Sequence, residues 1–226
     1  MQIVVLAAGR GTRMNELTEN IPKPMLEINK KPILAYKLEA LPGEIDEVIF
    51  VVGYLGNQIQ KYFGDFYAGK KISYVVQEKL NGSGGAVYLV KDLIKSDFVV
   101  MMGDDLYMKD DIAKIINYDF AVLGFEVDNP RKFGILHLDN NGNLEKIVEK
   151  PDISGPALAN IGLYKFNRKI FEYPMTISER GEYEIIQPLS LLANDFPVRV
   201  EKAENWFPIG NPDDLEKAQK IIKKFL

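Results

Sequence analysis

The chain alternates short apolar segments with segments of helical periodicity, and this alternation restricts its fold more than any other feature of the sequence. The apolar segments are rich in β-branched residues and cover residues 3–6, 48–52, 72–76, 98–102 and 120–125. They do not alternate strictly between apolar and polar side chains, so we expect each to be a strand buried on both faces. Strands of this kind are typical of a parallel sheet.

Helical patterns separate these strands. Apolar residues recur every three or four positions in residues 32–43, 84–94 and 110–116, and Pro32 and Gly43 mark the ends of the first pattern. This order of elements predicts a doubly wound, Rossmann-like α/β fold. In such a three-layer fold, a predominantly parallel, mixed central sheet lies between two layers of helices.

The second half of the chain predicts a different arrangement. Two strand patterns flank residues 140–142, whose sequence Asn-Asn-Gly is a strong signal for a β-hairpin. Residues 182–195 have helical periodicity, although Pro188 is expected to kink or interrupt that helix. The final segment, from Pro212 onward, predicts an amphipathic helix. We therefore expect one domain, residues 1–226, in which a small hairpin-containing elaboration is added to the α/β core.

Composition and charge exclude several classes of function. The 226 residues are 46% hydrophobic, and the formal net charge is −4, so the chain has no overall attraction for nucleic acid or an anionic membrane. The chain has no cysteine, which excludes disulfides, thiolate catalysis and cysteine-ligated zinc. No apolar run approaches the ~18 residues of a membrane span, and no secretory leader is recognisable. We expect a cytoplasmic protein with neither nucleic acid nor a membrane as a partner.

The first strand leads directly into the glycine-containing sequence LAAGRGTRM, residues 6–14. In an open α/β sheet, ligands bind beyond the carboxyl ends of the strands, and the loop after the first strand is a frequent site. Gly9 and Gly11 would let backbone N–H groups approach an anion, and Arg13 would add positive charge. A tight turn without a ligand is the alternative interpretation of two glycines alone.

Two common nucleotide-binding fingerprints do not fit this loop. A dinucleotide fingerprint requires a third glycine at the position of Met14 and an acidic residue after the second strand, and the sequence has neither. The P-loop pattern Gly-x-x-x-x-Gly-Lys-Ser/Thr is also absent. The loop continues instead to IPKPML, residues 21–26, where Lys23 lies between two prolines that restrict its backbone.

Together these motifs resemble those of the sugar-1-phosphate nucleotidylyltransferases, and the resemblance extends over nearly the whole chain. The family's amino-terminal signature is similar to LAAGRGTRM followed by PKPMLEI, and its base-reading segment is similar to VVQEKLNGSGGA. The turn with its metal-binding aspartate resembles MMGDDLY, and its sugar-side segments resemble FGIL, EKP and ANIGLY. Its closing region resembles GEYEI and NWFPIGNPDDLEKA. The length is similar to that of the short members, which lack a C-terminal β-helix domain.

The resemblance implies a reaction, a cofactor and two substrates. Members of the family combine an NTP with a sugar 1-phosphate to give an NDP-sugar and pyrophosphate, with Mg²⁺ as the cofactor. The attacking phosphate oxygen is already ionised near neutral pH. The site must therefore hold two polyanions and neutralise charge, and it needs no general base. Residues 1–110 would form the nucleotide-binding part and residues 111–226 the sugar-phosphate-binding part.

The resemblance also assigns roles to particular residues. Arg13 would bind the triphosphate and the transition state. Lys23 would lie between the nucleotide and sugar phosphates, and Lys150 would hold the sugar phosphate. Asp104 would bind Mg²⁺, and we prefer it to Asp105 because adjacent side chains point in different directions. The nucleotide-binding set is Leu6, Ala7, Ala8, Gly9, Gly11, Thr12, Arg13, Gln77, Gly82 and Ser83. The sugar-phosphate-binding set is Gly134, Glu149, Lys150 and Asn160.

One residue in the nucleotide-binding set has a more specific expected role. Gln77 would read the base, because its amide offers a hydrogen-bond donor and an acceptor together. The backbone near Gly82 and Ser83 would contribute further contacts to the base.

The chain departs from the family pattern at two positions. Ile161 stands where a threonine is common, and Pro208 stands where an aspartate commonly helps to hold the metal. Asn205, Asn211, Asp213 or water would have to complete the metal shell, and Mg²⁺ often keeps several waters. Asn211 is equally suited to cap the final helix.

Several alternatives stay open at this stage. UTP or dTTP with glucose 1-phosphate is the first substrate pair that we expect. GTP with a mannose or heptose 1-phosphate, or CTP with phosphocholine, are the alternatives. A non-catalytic homologue that binds a nucleotide or nucleotide-sugar is a second class, which Pro208 and Ile161 suggest. The sequence does not distinguish a monomer from a homo-oligomer.

Overall fold

The computed structural model describes residues 1–178 and 181–225. Its strands are β1 (Gln2–Ala7), β2 (Glu27–Ile28), β3 (Lys31–Pro32), β4 (Glu47–Val52), β5 (Phe66–Tyr67), β6 (Lys70–Val76), β7 (Phe98–Met102), β8 (Asp105–Tyr107), β9 (Ala121–Val127), β10 (Gly134–Leu138), β11 (Leu144–Glu149), β12 (Ala157–Phe166), β13 (Arg199–Lys202) and β14 (Trp206–Pro208). Its α-helices are α1 (Ile33–Glu39), α2 (Gly56–Phe63), α3 (Ser83–Leu89), α4 (Lys109–Ile115), α5 (Ile186–Asp195) and α6 (Pro212–Ile221). Short 3-10 helices cover Thr12–Thr18, Lys23–Met25, Pro130–Lys132, Arg168–Glu172 and Ile222–Phe225. None of the described helices is long and apolar enough to cross a bilayer.

The central sheet combines a parallel core with an antiparallel extension. Strands β7, β1, β4 and β6 lie side by side in that order and run parallel. Strand β12 pairs antiparallel with β7, and both β9 and the β10–β11 hairpin continue the sheet from β12. The mixed α/β fold is therefore confirmed, and the hairpin expected around residues 140–142 is β10–β11.

Strand β1 lies where the order of the strands reverses. The chain proceeds from β1 to β4 and β6 on one side, and then crosses to β7 on the other side of β1. The loops that leave β1 and β7 therefore diverge, which opens a crevice beyond the carboxyl ends of these two strands. Leu6 of β1 pairs with Met102 of β7 at this end of the sheet. The loops that follow these two strands begin side by side.

Both faces of the parallel core are covered by apolar side chains. Ile3 and Val5 of β1 belong to one buried cluster, which includes Leu38 of α1. Val4 of the same strand faces the opposite cluster, together with Val87 of α3. Since neighbouring residues of one strand point to opposite sides, both neighbours must be apolar when both faces are buried. This arrangement explains the absence of strict alternation in the strand segments.

Proline 188 does not interrupt its helix, contrary to the expectation from the sequence. Helix α5 begins at Ile186, so Pro188 is its third residue. The first backbone N–H groups of a helix have no partner within the helix, and proline therefore removes no hydrogen bond there. The expected helix began too early, because residues 182–184 are outside the helix and Ile185 is the residue that caps its start.

Candidate active site

A cleft of about 450 Å³ lies at the crevice between the loops that follow β1 and β7. Its lining includes the whole nucleotide-binding set expected from the sequence: Leu6, Ala7, Ala8, Gly9, Gly11, Thr12, Arg13, Gln77, Gly82 and Ser83. Lys23 and Asp104 also line the cleft, so residues from four separate parts of the sequence meet there. Glu182 is a further lining residue that the sequence did not single out for this part of the site.

Gly11 allows the glycine loop to pack against Lys23. Its φ is +65°, and a Cβ at this position would lie 2.9 Å from the Cβ of Lys23. Both the backbone conformation and the close approach favour glycine. The carbonyl oxygen of Gly11 accepts hydrogen bonds from the Met14 N–H and the Thr18 hydroxyl, which fixes the turn. The backbone N–H groups of residues 9–11 donate to no other described residue, so they remain available to a ligand.

Asp104 is directed into the cleft by a second close approach between loops. The backbone N–H of Gly103 donates to the Leu6 carbonyl oxygen at 2.9 Å, and a Cβ on Gly103 would lie only 2.7 Å from that oxygen. Glycine at position 103 therefore lets the loop after β7 reach the end of β1. The next residue, Asp104, forms an ion pair with Lys23 at 2.5 Å between Nζ and Oδ2. Lys23 is only 6% exposed, so the ammonium group lies at the base of the cleft.

Asp105 has a different environment from Asp104. Its carboxylate accepts a hydrogen bond from Trp206 Nε1 at 3.1 Å, and its backbone carbonyl accepts one from the ammonium of Lys37. Burial raises the pKa of the Asp105 carboxyl, and the neighbouring Asp104 charge raises this pKa further. The expectation that the two carboxylates diverge agrees with this arrangement, in which Asp104 and not Asp105 lines the cleft.

Lys37 is a charged residue of this region that the sequence analysis missed. It is 4% exposed, and its Nζ lies 4.5 Å from the centre of the Tyr107 ring. Burial lowers the pKa of Lys37, while the nearby Asp105 and Asp104 carboxylates oppose that shift. A lysine in an amphipathic helix is normally solvent-exposed. Its burial could not be predicted from the sequence, because its acidic neighbours come from a turn 68 residues away.

Asp111 is a second buried charge that the sequence did not single out. Its side chain is fully buried and accepts hydrogen bonds from the backbone N–H groups of Glu204 and Asn205 and from Lys114. These bonds fix the segment that leads into β14. Trp206, at the beginning of β14, then reaches the Asp105 carboxylate.

We expect Asp111→Ala to lower the free energy of unfolding by about 3 kcal/mol, since buried donors and a charge would lose their partner. Urea denaturation at neutral pH measures this change. Asp110→Ala is the matched control, because Asp110 is the exposed neighbour in the same helical turn. A loss within about 0.5 kcal/mol for both variants would show that Asp111 does not anchor the segment.

The residues expected on the sugar-phosphate side form a second cluster. Gly134 of β10 lies directly opposite Glu149 of β11, and a Cβ on Gly134 would lie 2.8 Å from Glu149 Oε2 and 4.0 Å from Asn160 Cβ. The Asn160 amide donates to the Tyr164 hydroxyl at 2.9 Å and accepts from the Gly162 N–H at 3.1 Å. Three of the four residues of this set are therefore neighbours.

Lys150 follows this cluster in an unusual backbone conformation. Its φ is +45°, which is rare for a residue with a side chain, and its N–H donates to the Phe133 carbonyl oxygen at 2.9 Å. Strained conformations of this kind are often found at functional sites. Lys150 and the sugar-side cluster are outside the lining of the 450 Å³ cleft.

The sugar-side cluster and the cleft meet at Met102. A Cβ on Gly162 would lie 2.5 Å from Met102 Cγ, and Met102 lines the cleft. Since Asn160 bonds to the Gly162 N–H, a short chain of contacts joins the cluster to the nucleotide side.

The three residues expected to replace the missing aspartate, Asn205, Asn211 and Asp213, are not among the described residues that line the cleft. Pro208 pairs with Asp105 in the β14–β8 ribbon. Asn205 donates its side-chain amide to Met108 Sδ, and Asn211 caps α6 by accepting from the Asp214 N–H. In residues 1–178 and 181–225, no group of three or more acidic or histidine side chains could hold a metal ion.

An open α/β sheet with a glycine turn, basic side chains and a carboxylate at the switch point is the arrangement typical of phosphate-binding α/β proteins. The chain matches the nucleotidyl transferase family over residues 2–224. It therefore belongs to this family, and the resemblance noted in the sequence motifs is confirmed.

Relatives and solved structures agree with this assignment. The bifunctional protein GlmU of Methanocaldococcus jannaschii is 36% identical over 225 residues, which are 98% of this chain and 54% of that protein. The chain thus spans about half the length of this relative. The UTP–glucose-1-phosphate uridylyltransferase AglF of Haloferax volcanii is 33% identical over 99% of this chain and 97% of its own length. The crystal structure of HddC from Yersinia pseudotuberculosis superposes with a TM-score of 0.78 at 28% identity, and covers 98% of this chain and 99% of that one.

Proposed function

We propose that the chain transfers a nucleotidyl group from an NTP to a sugar 1-phosphate and releases pyrophosphate. The observation that carries this proposal is the convergence of Arg13, Lys23, Asp104 and Gln77 on one cleft. These residues are distant in the sequence, and a simple structural turn after β1 does not require them to meet. The Haloferax volcanii relative is a UTP–glucose-1-phosphate uridylyltransferase, which is an activity of the same class.

The glycine loop and Arg13 would bind the triphosphate. The N–H groups of residues 9–11 have no described protein partner, and Gly9 and Gly11 line the cleft, so these groups would donate to phosphate oxygens. Arg13 is exposed in the cleft and donates to no described protein acceptor, so its guanidinium is available to bridge two phosphate oxygens. Lys23 uses one N–H on Asp104, and its ammonium group has two more for a phosphate.

The side chains at the cleft fit a magnesium ion with one protein ligand. Asp104 presents a hard carboxylate oxygen beside the phosphate loop, and Mg²⁺ is usually held by one or two carboxylates, substrate phosphates and water. Pro208 removes the second carboxylate that the family pattern would supply, so water and phosphate would fill that place. A bound Mg²⁺ would neutralise charge on the phosphates during the transfer.

The sugar 1-phosphate would approach from the side of Gly134, Glu149 and Asn160, with Lys150 on its phosphate. Glu149 would accept hydrogen bonds from sugar hydroxyls, since a carboxylate is an acceptor. The 1-phosphate oxygen would attack the α-phosphorus in line, and the bond to pyrophosphate would break. The nucleophile already carries its negative charge, so no residue has to remove a proton. The site acts by positioning the reactants and by electrostatic stabilisation.

A matrix of substrates tests this function directly. The purified protein is incubated with Mg²⁺, each of the common NTPs and either glucose, mannose or heptose 1-phosphate, or phosphocholine. We expect pyrophosphate and an NDP-sugar from UTP or dTTP with glucose 1-phosphate, and no product when the divalent metal is chelated. GTP with mannose or heptose 1-phosphate is the second expected pair. If no pair releases pyrophosphate while a nucleotide-sugar still binds, the protein is a non-catalytic binding homologue.

A further inference from the structure

The side-chain amide of Gln77 is held in one orientation. Its Nε2 donates to Asn81 Oδ1 at 2.9 Å and to the Gly82 carbonyl oxygen at 3.1 Å. A backbone carbonyl can only accept, so the amide nitrogen and not the oxygen must face Gly82. Both N–H groups are therefore used within the protein. The structure thus corrects the expectation that Gln77 offers a donor and an acceptor to the base.

The oxygen of this amide is the polar atom left for a ligand. Gln77 is only 5% exposed, yet it lines the cleft. Its Oε1 accepts no hydrogen bond from any described residue, so the base that enters the cleft meets an acceptor at this point.

Asn81 is itself positioned by its neighbours. A Cβ on Gly85 would lie 2.1 Å from Asn81 Oδ1, so the Asn81 side chain occupies space that any other residue at position 85 would fill. The Asn81 carbonyl oxygen accepts a hydrogen bond from the Tyr183 N–H at 2.8 Å, which fixes the backbone as well. Glycine at position 85 is otherwise unfavourable within helix α3. The close contact with Asn81 explains why glycine is present at position 85, because a larger side chain would displace Asn81.

We propose that Asn81 is a positioning residue for base selection: together with the Gly82 carbonyl it holds the Gln77 oxygen directed at the base, so that the site favours a base with a ring N–H. This inference rests on the proposed function, because it assumes that a nucleotide enters the cleft. Uracil, thymine and guanine carry a ring N–H on their pairing edge. Cytosine and adenine carry a lone pair at the corresponding nitrogen, and that lone pair repels an acceptor.

Two variants weaken the proposed contact in different ways. Asn81→Leu removes the acceptor and keeps a similar volume. Gly85→Ala keeps Asn81 but displaces its side chain, and alanine favours the helix, so this variant is expected to fold. In both variants the Gln77 amide retains only its bond to Gly82 and rotates more freely. Asn81→Asp is the conservative control, because a carboxylate oxygen still accepts from Gln77 Nε2.

Calorimetric binding of nucleoside diphosphates, without any sugar phosphate, tests the proposal. UDP and CDP form one matched pair, and GDP and ADP form the other. We expect the wild type to bind the ring-N–H member of its preferred pair at least ~10-fold more tightly than its partner. Asn81→Leu and Gly85→Ala should each reduce this ratio to about threefold or less, while Asn81→Asp retains it.

The ratio separates positioning from a merely structural role. A structural role would weaken all four nucleotides equally and leave the ratio unchanged, which would overturn the proposal. A wild type that prefers CDP or ADP would overturn the proposal as well. So would an Asn81→Asp variant that, like Asn81→Leu, loses the preference for the base with a ring N–H. A protein with the expected ratio that forms no NDP-sugar retains this inference and loses the proposed function. A wild type that binds none of the four nucleotides would overturn both.

Discussion

Asp104→Asn is expected to lower kcat for nucleotidyl transfer by about 10³-fold and to leave the fold intact. Asparagine keeps the shape of the side chain and can still accept the hydrogen bond from Lys23. Its neutral oxygen is a much weaker ligand for Mg²⁺ than a carboxylate. The variant should also bind Mg²⁺ in the presence of an NTP more weakly. Titration of the metal followed by calorimetry measures this directly, and the circular dichroism spectrum reports the fold.

The neighbouring Asp105 supplies the matched control for this prediction. An asparagine at position 105 can still accept from Trp206 Nε1, and its backbone carbonyl still accepts from Lys37. We expect Asp105→Asn to stay within about tenfold of the wild-type kcat, because the residue is outside the cleft lining. If Asp105→Asn loses turnover and Asp104→Asn keeps it, the metal role belongs to Asp105.

The strands and their burial on both faces could be predicted, because a strand buried on both faces has apolar residues at adjacent positions. Val4 and Val5 are adjacent and both apolar, since they face different cores. The glycine loop could also be predicted. Glycine is favoured where the backbone is left-handed and where another segment packs closely, and Gly11 has both a positive φ and a close contact with Lys23. Local rules of this kind need no knowledge of distant residues.

The charged groups beneath the site could not be predicted in the same way. Lys37 and Asp111 are polar residues in amphipathic helices, and nothing nearby in the sequence distinguishes them from exposed neighbours such as Asp110. Their partners lie 68 and 93 residues away, at Asp105 and Glu204. The orientation of the Gln77 amide is a similar case. It depends on which acceptors surround the side chain, and the identity of the residue alone leaves both orientations open.

Arg13→Ala is expected to lower kcat/KM for the NTP by about 10²- to 10³-fold, with little change in stability. The guanidinium lines the cleft and donates to no described protein acceptor, so its removal disturbs no internal contact. Arg13→Lys should recover only part of the loss, since an ammonium group keeps the charge but not the planar pair of donors. Steady-state kinetics over a range of NTP concentrations separates an effect on binding from an effect on kcat.

Arg10 provides the control that makes the Arg13 result specific. It belongs to the same loop and carries the same charge, but its guanidinium lies 5.4 Å from the centre of the Tyr54 ring and is outside the cleft lining. Arg10→Ala removes an equal charge from the loop, so a general electrostatic effect would lower kcat/KM similarly in both variants. We expect instead a change of about threefold or less for Arg10→Ala, because an exposed charge that makes no direct contact with the ligand contributes little. Equal losses would contradict a direct contact between Arg13 and the triphosphate, and they would reduce its role to the positive field of the loop.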